Sequence, residues 1–288
     1  MLNRDYFKWL QMNSGEFSRK PDSEEQALNL NPKDILCSEY LPNARVIEWS
    51  LKARNVPSVI NIALNTLAEK GARFLSGFQS IDWNENTILV GGFIDLSASK
   101  IKAEDIGNLL KDINGVLEVK VSDQTFDGLI IDTLHFPLRV SGERSFTFRV
   151  ETFGGILKRL YDKFGTGAAV ILYEMGMAAG ESKAKSIMKK YHTDKLKILK
   201  LVLAERAAKG WCIAEVEEFG SKRIVFKVRE LFECLPFQGK QENAVSQFFR
   251  GYLTGLLRQI LNKDVSVTEA ECIAKGDAAC RFVVEVKG

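Results

Sequence analysis

Residues 243–286 constrain the fold of this chain more than any other segment. The spacing of apolar residues predicts an amphipathic helix over residues 243–261, followed by a β-hairpin that turns at Gly276. Cys272 and Cys280 are equidistant from Gly276. A symmetric hairpin therefore places them opposite one another, with their Cβ atoms roughly 5 Å apart. The sequence predicts a helix beside a hairpin that carries two neighbouring thiols.

Two thiols and a nearby carboxylate raise the question of a metal site. Alternation along the return strand points the sulfur of Cys280 inward. Glu269 would face outward in a straight strand, because it lies three residues before Cys272, but a bulge or bend would bring it round. Thiolates and a carboxylate are good zinc ligands, and Cys234 is a candidate for the fourth ligand. The residues alone favour buried structural cysteines over a metal site.

Composition limits the class of protein. A chain of 288 residues, 45% hydrophobic and 27% charged, is typical of a protein with two soluble globular domains. No apolar run reaches the roughly 18 residues of a membrane span, and the N-terminus lacks the apolar stretch of a secretory signal. We therefore expect a cytoplasmic protein without membrane insertion. Five cysteines in such a chain argue against a disulfide framework.

A basic stretch over residues 181–209 is the one local charge excess. It contains Lys183, Lys185, Lys189, Lys190, Lys195, Lys197, Lys200, Arg206 and Lys209. Such a face could hold phosphate groups, but a solvated helix exterior explains it more simply. The net charge of +3 is small, and no helix-turn-helix, zinc-finger or RNA-binding signature accompanies it. A nucleic-acid partner is not expected.

The N-terminal half contains a regular pattern after a polar tail over residues 1–43. Strands are predicted at 46–51, 73–82, 87–96 and 116–121, and helices at 57–71 and 103–113. This βαββαβ order is ferredoxin-like and resembles an ACT-type regulatory domain, which we assign to residues 44–140. That family usually has a glycine where this chain has Ser58, which argues against amino-acid binding and leaves open a module used for pairing. Residues 130–140 are predicted to form a linking strand, with Pro137 at a sheet edge.

The C-terminal half, residues 141–288, is predicted to be α+β. Helices are expected at 153–164, 167–191 and 194–209, followed by strands at 211–219 and 222–234, the helix at 243–261 and the hairpin. This order predicts helices packed on one antiparallel sheet.

Two of these helices carry glycines one turn apart, Gly176 with Gly180 and Gly251 with Gly255. Glycine weakens a helix by about 1 kcal/mol relative to alanine, so such pairs usually have a packing reason. Either the helices pack tightly, or they flank a cavity for an oily or aromatic ligand; the sequence favours neither. The candidate ligand-binding residues are Tyr173, Met177, Phe248, Phe249, Tyr252 and Leu256.

Residues 249–255, Phe-Arg-Gly-Tyr-Leu-Thr-Gly, and the run from Glu269 to Cys280 resemble the 4-vinyl reductase, hydrocarbon-binding domain family. The resemblance extends back through residues 232–234 and 173–176. It implies a small-molecule sensor, since aromatic-responsive bacterial activators use this domain for phenol-like effectors. The fold is also similar to TRAPP-like vesicle-tethering subunits that hold an acyl chain. Relatives with zinc use residues that match Glu269, Cys272 and Cys280, and their remaining cysteine aligns with Ser246.

Two departures from the family pattern affect the site. Serine is a poor zinc ligand, so Cys234 substitutes for it, a water completes the site, or no metal binds. Aromatic sensors tend to carry a tryptophan where this chain has Val228, so recognition of phenol does not transfer. No ATPase motif or DNA-binding helix pair accompanies the domain.

Enzyme signatures are missing from the sequence. The chain has only two histidines, His135 and His192, which excludes a three-histidine metal site. Residues 165–167, Gly-Thr-Gly, lack the further residues of a dinucleotide or phosphate loop. We therefore expect a homodimeric, non-enzymatic sensor or regulator that binds a small hydrophobic ligand, with zinc as its cofactor. The alternatives are a TRAPP-like interaction scaffold and an accessory protein of tetrapyrrole or aromatic metabolism.

Overall fold

The computed structural model describes residues 30–287 and divides into two units, one ending at Phe136 and the other beginning at Pro137. Both units combine helices with antiparallel sheets, so the predicted α+β class is confirmed. Among residues 30–287, no helix is both long enough and apolar enough to cross a membrane.

The first unit is built on a four-stranded antiparallel sheet with two helices on one face. Its elements are β2 (Val46–Arg54), α1 (Pro57–Glu69), β3 (Arg73–Asp82), β4 (Thr87–Asp95), α2 (Ala103–Lys111) and β5 (Val116–Ser122). The strand order is β3-β4-β2-β5, which is the ferredoxin-like arrangement predicted from the sequence. Pro57 occupies the first turn of α1, where its missing N–H costs nothing. Alternation along β2 buries Ile47, Trp49, Leu51 and Ala53 against both helices.

The opposite face of this sheet is covered by a smaller one. Its strands are β1 (Ser38–Tyr40), β6 (Thr125–Phe126) and β7 (Leu129–Ile131), in the order β1-β7-β6. Val46, Phe93 and Ile130 form a second core between the two layers. Residues 1–29 of the predicted N-terminal tail lie outside the described residues, whereas residues 38–40 of that tail pair with β7.

The continuous strand predicted over residues 130–140 is wrong. After Ile131 the chain leaves the sheet, because the buried carboxylate of Glu48 accepts hydrogen bonds from the backbone N–H groups of Thr133 and Leu134, at 3.0 and 3.1 Å. These bonds turn the backbone across the sheet instead of along its edge. The alternation of apolar residues that predicted the strand contains no information about Glu48, which lies 85 residues away from Thr133 in the sequence.

The second unit places helices on one four-stranded antiparallel sheet. Its elements are β8 (Arg139–Val140), β9 (Glu143–Arg144), α3 (Val150–Phe164), α4 (Gly167–Lys190), α5 (Lys195–Ala208), β10 (Ile213–Phe219), β11 (Arg223–Arg229), α6 (Gln247–Leu261), β12 (Val265–Glu271) and β13 (Cys280–Val286). Short 3-10 helices occupy Leu235–Phe237 and Ile273–Lys275. The strand order is β10-β11-β13-β12. Side chains of α5, α6 and the sheet share one core.

Two boundaries in this unit differ from the prediction. Strand β11 ends at Arg229 instead of continuing to residue 234, because Glu230 adopts a left-handed φ of 54° that breaks the extended backbone. Helix α6 begins at Gln247 instead of residue 243. The residue before it, Ser246, is held outside the helix by hydrogen bonds from its N–H and hydroxyl groups to Glu269.

Candidate functional site

Three buried cysteines from distant parts of the chain meet in the core of the second unit. Cys234 follows β11, Cys272 follows β12, and Cys280 begins β13. The Sγ atom of Cys234 lies 3.6 Å from that of Cys272 and 3.7 Å from that of Cys280. Together with the Glu269 carboxylate, these groups offer one ligand atom each within 4.8 Å of one another. We call these four residues the cysteine cluster.

The local backbone explains how Glu269 and Cys272 reach the same side. A β-bulge shifts the register of β12 between Glu269 and Glu271, which is the bend that the three-residue spacing requires. The last paired residues of the hairpin are Glu271 and Arg281, so Cys272 and Cys280 lie directly beyond the paired part of the two strands. Gly276 turns the chain with a φ of 101°, which favours glycine.

Ser246 lies beside the cluster and bonds to two of its members. Its hydroxyl group donates to Oε1 of Glu269 at 2.6 Å and lies 2.8 Å from the Sγ atom of Cys234. Its backbone N–H donates to Oε2 of the same carboxylate at 3.2 Å. Position 246 thus holds a hydroxyl group that orients Glu269, while Cys234 supplies the third sulfur.

Burial and the contacts among the three thiols set the electrostatics of the cluster. Burial raises the pKa of Glu269 to about 8, although hydrogen bonds from Ser246 act in the opposite direction. The pKa of Cys234 is also raised, first by its contacts with Cys272 and Cys280 and then by burial. The pKa of Cys272 is instead lowered, because its contacts with Cys234 and Cys280 favour its thiolate. Without a cation Glu269 and Cys234 therefore retain protons at neutral pH, and a bound cation would displace them.

The donor set fits zinc. Four sulfur and oxygen donors match the ligands and number of a closed structural zinc site. Tetrahedral geometry with zinc–sulfur bonds of about 2.3 Å separates neighbouring sulfurs by about 3.8 Å. The separations of 3.6 and 3.7 Å from the Sγ atom of Cys234 are close to that value.

Helices α4 and α6 pack in direct contact at their paired glycines. A Cβ atom added to Gly176 would lie 1.9 Å from the carbonyl oxygen of Phe248, and one added to Gly251 would lie 2.0 Å from that of Tyr173. Gly180 and Gly255 make equivalent approaches. The backbones fill the space that a ligand would need, so the glycines serve helix packing, which the sequence had left as one of two alternatives.

The six predicted ligand-binding residues do not line one common site. They lie in three different places around the contact between α4 and α6. Tyr173 and Met177 are half-buried beside the glycines, where the Tyr173 hydroxyl donates to Oγ1 of Thr254 at 3.1 Å. Phe249 and Leu256 are fully buried in the core below the sheet. Phe248 and Tyr252 instead belong to a different group of side chains.

That group, which we call the aromatic cluster, consists of Phe153, Trp211, Phe232, Phe248 and Tyr252. The ring of Trp211 lies 5.4 Å from Phe232, 5.8 Å from Phe248 and 5.4 Å from Tyr252. Phe153 of α3 lies 5.1 Å from Phe232. Tyr252 is buried, whereas the other four rings are only partly buried. The cluster is therefore an accessible apolar surface with one buried ring beneath it.

Two polar groups under the aromatic cluster are buried without a hydrogen-bond partner among the described residues. They are the hydroxyl group of Tyr252 and the Nε atom of Arg206. The Arg206 guanidinium lies 4.5 Å from the ring centre of Trp211 and 5.6 Å from that of Tyr252. Burial raises the pKa of Tyr252 above its usual range, so the hydroxyl group remains a donor at neutral pH.

Part of the basic stretch is used within the protein. Lys183, Arg206 and Lys209 all form ion pairs with Glu205, the latter two at 3.2 and 2.7 Å. Burial opposes ionisation of Glu205, but hydrogen bonds from Lys183 and Lys209 outweigh it and lower the pKa of Glu205 to about 2. These three cations are therefore not a free phosphate-binding face.

The sequence did not place Arg206, Trp211, Phe232 or Glu233 in a site, although Arg206 was part of the basic stretch and residues 232–234 were part of the family resemblance. Arg206 had a detectable signal, because it falls on the apolar stripe of α5 that Leu199 and Val202 begin. Glu233 caps α6, accepting hydrogen bonds from the N–H groups of Phe248 and Phe249 at 2.9 Å. Burial raises the pKa of Glu233 to about 8. No local pattern connects Glu233 to a helix that begins beyond a loop.

Comparison with known proteins finds a family match within the second unit. Residues 224–286 match the family model of the V4R domain, so the C-terminal half of the chain contains a V4R domain and the predicted resemblance is confirmed. The ACT-like resemblance of the first unit stays a prediction. No curated protein matches the chain significantly.

Several solved structures are similar to this chain. The phenol-responsive sensory domain of the transcription activator PoxR is 20% identical, with 50% of this chain and 78% of that chain covered and a TM-score of 0.45. Trafficking protein particle complex subunit 3 from Naegleria fowleri, covalently bound to palmitic acid, is 18% identical, with coverages of 48% and 93% and a TM-score of 0.38. A vinyl-4-reductase family protein from Methanocaldococcus jannaschii is 22% identical, with coverages of 50% and 85% and a TM-score of 0.36.

Proposed function

We propose that this protein is a sensor or regulator whose V4R domain binds a small hydrophobic ligand, aromatic or lipid-like, at the aromatic cluster. The observation that carries the proposal is the set of partly buried rings above two buried polar groups, the Tyr252 hydroxyl and the Arg206 Nε, that have no partner within the described chain. Binding sites for small molecules are mostly apolar with a few convergent polar groups, as this cluster is.

The two unpartnered groups define the ligand's chemistry. Leaving a buried donor unsatisfied costs about 1–3 kcal/mol, which an acceptor on a ligand would recover. Both the Tyr252 hydroxyl and the Arg206 Nε–H are donors. The ligand therefore combines an apolar body with a hydroxyl, carbonyl or carboxylate oxygen.

Zinc has a structural role in this proposal. Cys234, Cys272, Cys280 and Glu269 would hold it, and when bound it would supply a cross-link between the ends of β11, β12 and β13. Ser246 orients Glu269 and also lies immediately before α6, the helix that carries Tyr252. The cross-link would thus fix the N-terminal end of the helix that contributes the buried tyrosine. None of these groups is assigned a catalytic role.

Signalling requires the ligand to bind one state of the protein better than another. We propose that the protein is a homodimer and that the ACT-like unit pairs or relays the ligand-bound state. Exposed apolar side chains on the helices of the second unit, including Phe164, Val170 and Met175, support pairing. Native mass spectrometry of the full chain, with and without ligand, tests this. A strict monomer under both conditions would remove support for the relay.

A pair of tyrosine variants tests the ligand site, with phenol and palmitate as probes in isothermal titration calorimetry. Tyr252→Phe removes a hydroxyl group that has no partner in the described chain, so folding should be unaffected and probe affinity should fall about tenfold. Tyr173→Phe is the matched control on the facing helix. It loses the bond to Thr254 and should cost about 1 kcal/mol of stability without changing affinity. Weaker binding in Tyr173→Phe alone would place the ligand beside the glycines instead.

The second candidate function is a TRAPP-like interaction scaffold. The direct contact of the α4 and α6 backbones at Gly176 and Gly251 favours it, because a filled interface leaves a well-packed core without a cavity between these helices. A scaffold predicts that neither probe binds and that no small molecule copurifies with the chain.

A further inference from the structure

We propose that Glu48, Asp132 and His135 in the first unit form a second metal site, for a divalent cation with oxygen and nitrogen ligands such as Mn²⁺. The three side chains offer one ligand atom each within 4.8 Å of one another. They lie on the face of the ferredoxin-like sheet that α1 and α2 do not cover. The site is independent of both the cysteine cluster and the proposed ligand site.

The distances between ligand atoms suit a shared cation. Nδ1 of His135 lies 2.9 Å from Oδ1 of Asp132 and 3.4 Å from Oε1 of Glu48. Ligand atoms held at about 2.1 Å from one cation are about 3.0 Å apart in octahedral geometry and about 3.4 Å apart in tetrahedral geometry. The first separation is close to the octahedral value and the second equals the tetrahedral value, and the carboxylate oxygens of Glu48 and Asp132 lie within 4.8 Å of each other. An ion could therefore be held by small adjustments of the three side chains.

The side chains are fixed by contacts that leave their ligand atoms together. Glu48 is fully buried, and Thr133 donates to its Oε2 through both the backbone N–H and the hydroxyl group. Oδ1 of Asp132 accepts the backbone N–H of His135 at 3.1 Å. Both carboxylates are therefore oriented before any ion binds, which lowers the entropy cost of binding it.

The imidazole ring is locked in the same orientation. It stands edge-on to Phe78 at 4.7 Å, and it lies against Gly91, where a Cβ atom would approach Nε2 to 2.6 Å. Nε2 is buried without a partner among the described residues, so the hydrogen bonding of the ring is concentrated at Nδ1, between the two carboxylates. Any side chain at position 91 would displace the ring.

The negative charges of the two carboxylates favour binding of a cation at this place. Glu48 and Asp132 bring two carboxylates together in a largely buried place, and the ion pairs that the structure shows for both run to His135. Burying like charges together is costly unless a proton or a cation neutralises them. Carboxylate oxygens and an imidazole nitrogen suit Mn²⁺ or Fe²⁺, whereas the thiols of the cysteine cluster prefer softer ions such as Zn²⁺.

The position of the site suggests what the ion would do. Residues 132–135 are almost the last of the first unit, whose final residue is Phe136. A cation held between β2 and this segment would fasten the segment to the sheet directly before the chain enters the V4R-containing unit.

Titration of the chelator-treated, full-length protein with Mn²⁺, followed by electron paramagnetic resonance, tests the proposal. We expect one tightly bound Mn²⁺ per chain in the wild type, and the same in Cys272→Ser. Asp132→Asn keeps the acceptor for the His135 N–H but removes a charged ligand, so Mn²⁺ affinity should fall at least a hundredfold. His135→Asn should have the same effect.

Thr133→Val is the matched control, because it removes a hydrogen bond to Glu48 without removing a metal ligand. It should retain Mn²⁺ binding. Unfolding curves recorded with chelator identify any variant that fails to fold, and the remaining variant then carries the test. No Mn²⁺ binding by the wild type, or equal binding by a folded Asp132→Asn variant, would overturn the proposal and leave the group as a hydrogen-bonded brace.

Discussion

The Sγ atoms of Cys234 and Cys272 lie 3.6 Å apart in the fully buried core of the second unit, although 38 residues separate them in the sequence. This contact joins the end of β11 to the end of β12. Cys234 and Cys272 belong to different elements, and their contact makes them members of one group of possible metal ligands. Replacing one sulfur atom of the cysteine cluster by oxygen should therefore have a clear effect on metal binding.

Replacement of Cys272 by serine should abolish zinc binding. We expect about one zinc per chain in the wild type and less than about a tenth of that in Cys272→Ser, because hydroxyl groups are poor zinc ligands. Cys212→Ser is the matched control, since Cys212 is equally buried but outside the cluster. Metal analysis by inductively coupled plasma mass spectrometry measures both. Equal zinc contents in the two variants would show that the cluster holds no zinc.

Ser246→Cys should strengthen zinc binding. The new thiol would lie beside Cys234 and Glu269 and would complete a set of four sulfurs. We expect release of zinc to a competing chelator to slow about tenfold, a change of about 1.4 kcal/mol. Ser246→Ala, which adds no ligand and frees Glu269, should release zinc faster than the wild type. Zinc release should therefore be slowest from Ser246→Cys, intermediate from the wild type and fastest from Ser246→Ala. Equal release rates for the three proteins would contradict a role of position 246 in zinc binding.

Gly176→Ala should destabilise the second unit strongly. The added methyl group would lie 1.9 Å from the carbonyl oxygen of Phe248, so α4 and α6 must separate. We expect a loss of about 3 kcal/mol in the free energy of unfolding, at the upper end of overpacking effects. Gly155→Ala is the control within α3, where a Cβ atom meets nothing within 4 Å. It should gain about 0.5–1 kcal/mol by helix propensity. Urea denaturation distinguishes the two.

Glu205 should stabilise the protein in a defined pH window. Its pKa is lowered to about 2 from the usual 4.5, despite burial, by Lys183 and Lys209. Stability from this carboxylate is therefore fully present above about pH 4.5 and is lost as the pH falls towards 2. At neutral pH, Glu205→Gln should be less stable by about 2 kcal/mol, a value reduced for partial solvent exposure. A stability difference from the wild type that stays constant from pH 6 to pH 2 would contradict this account.

The predictable parts of the fold were those with a regular apolar period. Alternation in β2 and the helical spacing of α1 placed both elements correctly, because these residues pack against neighbours that the same pattern defines. Two of the wrong predictions, the strand over residues 130–140 and the start of α6, involve a carboxylate that accepts backbone N–H or hydroxyl groups. The end of β11 was wrong for a different reason, the left-handed φ of Glu230. Glu48 and Glu269 act across long sequence separations, and periodicity contains no information about such partners.

The candidate sites likewise combine residues that local spacing predicts with residues that only the fold brings together. The spacing of Glu269, Cys272 and Cys280 within one hairpin allowed the sequence to anticipate their meeting and the bend that it needs. The aromatic cluster was only half anticipated, through Phe248 and Tyr252 on α6. Arg206 and Trp211 come from another part of the chain, and only the packing of α5 against α6 brings them to the same place.

Native mass spectrometry of the purified full-length protein, recorded before and after denaturation, tests the central claim most directly. The account predicts an additional small, hydrophobic mass on the wild type that disappears on denaturation, is weakened in Tyr252→Phe and is retained in Tyr173→Phe. The mass of the chain alone, together with no binding of phenol or palmitate, would contradict a ligand sensor and favour the scaffold.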